Sequence, residues 1–262
     1  MSSARPSTGA GPAQPDGALR RLLRPRVLVS HAVVLTVVTV LIGLGRWQVE
    51  RLQEVRAVNQ LLAERLAEPP TDLLTLLDVG IDPAALEFRR ITTTGTFRPD
   101  EEVLQRNRLN GGLAGLDVLT PLDLGDGRTL LVRRGWVPPG PNGPPIDAAP
   151  PSGTVQVAGV LEATVPQPAF GARDPDTGAL SRVFHPDTER LDVQMSGNLL
   201  PLVLRLTAPV PADPAGLPRP PGPPELDEGS HLSYAVQWHL FAALALIAYA
   251  AWWRRRLRAS AA

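Results

Sequence analysis

Two stretches of the chain are apolar throughout, and most of what lies between them alternates. The first, VLVSHAVVLTVVTVLIGLG (residues 27–45), carries no formal charge. As a helix it would reach roughly 28 Å, close to the hydrocarbon thickness of a bilayer. The second covers residues 235–253 and ends in AALALIAYAAWW. Arg20, Arg21, Arg24 and Arg26 precede the first run, and Arg254, Arg255, Arg256 and Arg258 follow the second. A cleaved signal peptide would also place basic residues before an apolar run, and Gly43-x-Gly45 is small-x-small. The run exceeds the roughly 7–15 residues of a signal core, so it reads as an uncleaved anchor. Basic flanks at both outer ends place both termini in the cytoplasm. The expected division is a disordered cytoplasmic tail (1–26), a first span (27–47), an extracytoplasmic domain (48–233), a second span (234–253) and a basic tail (254–262). That layout leaves no cytoplasmic effector domain, which argues against a transmembrane sensor.

The first helix is expected to outrun the membrane. RWQVERLQEVRAVNQLLAERLAE keeps a helical period, with Leu52, Val55, Leu62 and Leu66 on one side, until Pro69-Pro70 stops it. TDLLTLLD then reads as a short helix with Thr71 as its N-cap. From Phe88 the period shortens to that of strands: FRRITTTGTF, EEVLQRNR, GLDVLTPLDL and RTLLVRRGWVP, the last two joined by a GDG turn at 125–127. TVQVAGVLEA and LPLVLRLTA are further strands, and HPDTERLDVQM between them reads as a helix with Pro186 in its first turn. The fold class predicted is thus a membrane protein of α+β type. Two transmembrane helices flank an extracytoplasmic, mainly antiparallel β domain, an open sheet or a partly closed barrel, with short helices.

Composition removes several chemistries. The 262 residues carry a formal net charge of zero, which gives no reason to expect nucleic acid. The chain has no cysteine, so thiol catalysis, disulfides and zinc–thiolate sites are excluded, and its two methionines are too few for a thioether copper site. All 26 basic residues are arginine. NGGLAGLD lacks both GK[ST] and the GxGxxG spacing, and neither GxSxG nor HExxH occurs, so no enzyme is indicated. Of four histidines, His231 and His239 are roughly 12 Å apart along one helix, and His31 belongs to the opposite membrane half. A multi-histidine cage is therefore not expected, whereas a site with one histidine remains open.

One such site is suggested where the two runs meet the outer surface. GRWQVER (45–51) leaves the membrane there and HLSYAVQW (231–238) enters it. If the helices pack, Trp47, Gln48, Arg51, His231, Tyr234, Gln237 and Trp238 gather at one depth. An aromatic belt with a snorkelling arginine accounts for the tryptophans and Arg51 equally well. It accounts less well for His231 and Gln48, since neither is a usual interface anchor.

These residues carry a resemblance. GRWQVER resembles the G-x-W-Q-x-x-R motif that closes the first span in the Surfeit locus protein 1 family. GGLAGLDVLTPLDLGDGRTLLVRRGWVP resembles that family's central stretch, and HLSYAVQW its H-L-x-Y-A-x-x-W motif, in the same order. Arg133 departs from the family's usual Asn, Ser230 from Asn, and His239 from Phe. The resemblance implies an assembly factor for cytochrome c oxidase, not an enzyme, in the bacterial inner (cell) membrane. It implies the handling of haem a and its delivery to oxidase subunit I, with haem a synthase as a further candidate partner beside the lipid bilayer; the single candidate ligand suits transient binding. His231 is then the candidate iron ligand, with Arg46 or Arg51 meeting a propionate. A different class stays open: a structural accessory subunit that remains on the oxidase and binds no haem. The surface near Arg133, Arg134 and Trp136 is a candidate for docking an oxidase subunit, and the core is the alternative place for Trp136.

Overall fold

The structure is a computed structural model that describes residues 25–140, 148–207, 216–222 and 224–259. Residues 1–24 of the expected disordered tail, and parts of the proline-rich stretches expected at 138–153 and 209–224, lie outside those residues. Among the described residues four α-helices are formed: α1 (Pro25–Ala67), α2 (Leu73–Asp78), α3 (Thr188–Asp192) and α4 (His231–Ala259). By their contacts the chain divides into a helical unit, up to Ala57 and from Asp227, and a β unit, Val58–Leu226.

In the helical unit α1 and α4 are each long and apolar enough to cross a membrane. Leu35 and Ile247 are about two-thirds exposed, which is tolerable only in an apolar solvent. The covered positions of α1 recur every three or four residues: Val38, Leu41, Gly45, Gln48, Leu52 and Val55. On α4 they are Ala235, Trp238, Ala242, Ala245 and Tyr249. The two helices therefore meet along antiparallel seams rich in small residues, which let backbones approach. Gly45 shows why: a Cβ there would lie 2.4 Å from the His239 ring. As expected, α1 does not stop where its apolar stretch ends but runs unbroken for 43 residues, and Pro69-Pro70 follow its end.

The β unit is built on a closed ring. β2 (Arg90–Phe97), β6 (Thr154–Ala163), β8 (Asn198–Leu206), β5 (Arg128–Val137) and β4 (Leu113–Asp123) pair in that order. β2 returns to β4 through Thr96–Phe97 against Leu122–Asp123. Gly95 permits this closure, because a Cβ there would sit 2.5 Å from the Asp123 carbonyl oxygen. β3 (Val103–Asn110) hairpins onto β4, and β7 (Arg182–Val183) lies parallel to it. β1 (Thr71–Asp72) pairs parallel with β2. The ring is mixed rather than wholly antiparallel, since β5 and β8 run parallel. Ile91, Leu122, Leu130, Val132, Leu161, Leu202 and Leu204 form the main core, joined by Leu73, Leu76 and Leu86. Leu119, Leu131 and Val203 form a second core with Leu191 and Met195. β5 is thus covered on both faces, the physical reason its LLVRR run does not alternate.

Several local expectations change. The cap of α2 is Asp72, whose carboxylate accepts from Thr75 N, while Thr71 is in β1. Pro186 precedes α3 rather than starting it, because Asp187 is the cap. The GDG turn forms as read, with Gly125 and Gly127 both at positive φ.

Arg133, Arg134 and Trp136 are not a docking surface: each is about 95% buried. Trp136 packs against Gly115 and exchanges backbone hydrogen bonds with Arg219. Arg133 donates to Asp117 at 2.8 Å and Gln105 at 2.9 Å, and its other nitrogen lies 3.0 Å from Glu162. Asp117 also accepts from Arg108, and Glu162 from Arg205. Arg134 donates to Glu102 at 3.1 Å, which also accepts from Thr120. Desolvation lowers the Arg134 pKa from its ordinary value while Glu102 opposes the shift. These arginines are structural cations held by carboxylates, and that pairing explains how Arg133 is accommodated inside the fold.

Candidate functional site where the two long helices meet

His231 is the first residue of α4, and its Nδ1 lies 2.8 Å from Gln48 Oε1 on α1. An amide oxygen can only accept, so Nδ1 carries the hydrogen and donates. The neutral ring then keeps a bare lone pair on Nε2. Gly229 stands beside that nitrogen at φ +65°, and even a Cβ there would remain 3.6 Å from it. Glycine at this position serves the left-handed turn.

A second contact, a clip, joins the same two segments beyond the Gln48–His231 pair. Arg56 Nε and a terminal nitrogen donate to the two Glu228 oxygens at 2.9 and 2.8 Å, a two-bond fork between α1 and the segment entering α4. The bonds from Arg56 lower the Glu228 pKa below its ordinary value. A depressed carboxylate contributes above its unfolded pKa, and the contribution is lost as pH falls through the folded one. The clip therefore works at neutral pH and opens on acidification. Neither residue was singled out from sequence. The available signal was spacing: Arg56 is two helical turns beyond Gln48 and Glu228 is three residues before His231.

The other expected site residues surround this contact without joining it. Trp47 is 56% exposed and lies off the seam. Arg51 is half-exposed and donates to Glu54 at 2.7 Å, an exposed pair of the kind worth about 0–1 kcal/mol, so its guanidinium is readily exchanged to another anion. Tyr234 and Gln237 are exposed, and Trp238 is half-buried with its ring edge-on to Phe241. His239 donates from Nδ1 to the Ala235 carbonyl at 2.7 Å and lies against Gly45. A flat ring is what Gly45 accommodates, so His239→Phe should preserve the helix pair and any ligand bound at His231. Absorption of the loaded variant checks this, and loss of the ligand would assign His239 more than packing. His185 belongs to the β unit and spends Nε2 on the Ala172 carbonyl at 3.2 Å.

Among the described residues no three His, Asp or Glu side chains gather as a metal cage. The donor set fits a group that needs one nitrogen ligand and otherwise apolar contact. A heme meets that description: iron for Nε2, a macrocycle for the apolar helix surfaces, and propionates for the interfacial arginines.

Comparison with known proteins agrees with the layout. The SURF1 family profile matches residues 35–243. An uncharacterized SURF1-like protein of Mycobacterium tuberculosis is 33% identical over 235 residues, covering 86% of this chain and 83% of the relative. A SURF1-like protein of Monosiga brevicollis is 32% identical over 231 residues, covering 81% and 83%. One from Rickettsia felis is 29% identical over 109 residues, covering 41% and 46%.

Proposed function

Since the chain belongs to the SURF1 family, generally associated with cytochrome oxidase assembly, we propose that it binds haem a transiently through His231 and aids its delivery to oxidase subunit I. The observation that supports this most is the Gln48–His231 hydrogen bond, which fixes the tautomer with a bare Nε2. His231 would hold a heme through Nε2, and the group would supply an iron that accepts one nitrogen ligand. His231 supplies the ligand, Gln48 orients it, and Arg51, three residues after Gln48 and held only by the exposed Glu54, is the guanidinium that turns to a propionate. Trp47, Tyr234, Gln237 and Trp238 provide the interfacial wall. A single protein ligand suits a group that is taken up and passed on. Haem a synthase is the partner that such a role requires upstream.

The test is purification after co-expression with haem a synthesis. The proposal requires the absorption spectrum of haem a on the isolated protein. Persistent co-purification with the assembled oxidase, without heme, would instead support a structural accessory subunit.

The site works as proposed only if both termini are cytoplasmic and the β unit is outside, in the bacterial cell membrane. Reporter fusions at residues 10 and 260 are expected to signal the cytoplasm, and one in the 138–151 loop the exterior. A cytoplasmic signal from that loop would end this topology.

A further inference from the structure

The opposite end of the helix pair repeats the chemistry of His231. Ser30 has one hydroxyl hydrogen, and it goes to the Val27 carbonyl at 2.8 Å. Ser30 Oγ also lies 2.8 Å from Tyr249 Oη, so the tyrosine must be the donor in that contact. The Tyr249 hydrogen is then spent. Tyr249 Oη is 2.8 Å from His31 Nδ1 as well, and this bond forms only if Nδ1 carries the hydrogen. The relay therefore sets His31 in the Nδ1–H tautomer and leaves Nε2 with a bare lone pair, as Gln48 does for His231.

The surroundings complete the parallel. Trp253 and Tyr249 stand edge-on to the His31 ring at centroid distances of 5.6 and 5.5 Å. Trp252 stacks on Tyr249 at 5.7 Å, and Arg256 lies over Trp252 at 4.6 Å. Arg254, Arg255 and Arg258 make no ion pair with the described residues. A bare imidazole nitrogen, an aromatic wall and guanidiniums with no ion pair among the described residues suit an iron porphyrin with carboxylate side chains. His31 and Gln48 are roughly 25 Å apart along α1, so one porphyrin cannot bridge both histidines.

We propose that His31 is the axial ligand of a second iron-porphyrin site, at the end of the helix pair remote from His231. The proposal takes its ligand class from the function proposed above, but its site stands on separate residues. Tyr249 and Ser30 are positioning residues that act through the His31 tautomer.

The test is a titration of the full-length protein in lipid nanodiscs with ferric protoporphyrin IX, read as bound stoichiometry and as the spectrum of imidazole-ligated iron. The wild type should take two equivalents, His31→Ala one, His231→Ala one, and the double variant none. Tyr249→Phe should weaken only the His31 equivalent, by about 10- to 100-fold, as loss of a ligand's orienting partner does. The His231 equivalent in the same sample reports that the helix pair is intact. One equivalent in the wild type, lost with His231→Ala and kept in His31→Ala, overturns the second site and leaves the first. One equivalent lost only with His31→Ala supports the second site and overturns the first.

Discussion

His231→Ala is expected to abolish heme retention at the Gln48 end of the helix pair and to leave only the His31 equivalent, while His185→Ala leaves both unchanged. The expected loss exceeds the roughly 10- to 100-fold cost of removing a ligand's orienting partner, because the ligand itself is gone. Nothing described near Gln48 can replace it: Gln237 is an amide, and His239 is committed to the Ala235 carbonyl and to packing on Gly45. The fold should survive, since His231 is only half-buried and the Arg56–Glu228 clip does not depend on it. Absorption of the purified variants after haem a co-expression checks the pair. Equal loss in both would show that folding, not ligation, had been disturbed.

Asp117→Ala is expected to destabilise the β unit by about 3 kcal/mol, the lower end of the cost of stranding a buried charge. Asp117 holds Arg133 and Arg108, and the Asp117 and Arg133 side chains are both 6% exposed. The lower end applies because Glu162 and Gln105 remain on Arg133. At about 2–4 °C per kcal/mol for a unit of this size, thermal unfolding should shift down by about 6–12 °C. Arg108→Ala removes the more exposed member, 37% exposed, and should cost at most about 1 kcal/mol. Arg133→Asn in the Asp117→Ala background should recover part of the loss, because the stranded cation is then absent. A drop as small as that of Arg108→Ala would mean that the network is solvated.

What could be read from the chain without coordinates follows the range of each signal. The spans, the extension of α1 to Pro69 and the six longer strands declare themselves through local periodicity. β1 and β7 are two residues each and carry no period, so only their partners define them. Ring closure was legible only as an alternative, because it depends on a two-residue contact between β2 and β4. The parallel β5–β8 pair is a long-range choice that no local pattern encodes. Arg133 and Arg134 look like surface residues one at a time, and their burial follows from Asp117 and Glu162 in other strands and from Glu102 just before β3. At the site, common depth was readable and direction was not. Gln48 and His231 meet, whereas Trp47 and Arg51 are placed off the seam by the 100° step of the helix. The Arg56–Glu228 clip joins residues with no shared local signal.

The central claim is that Gln48 serves heme binding by orienting His231. A double-mutant cycle tests it most directly, with heme titrated into the wild type, Gln48→Leu, His231→Ala and both together. In the His231 background Gln48→Leu should weaken binding by about 10- to 100-fold. In the His231→Ala background the same change should have no further effect, because the group it orients is missing. An equal loss from Gln48→Leu in both backgrounds would contradict the account.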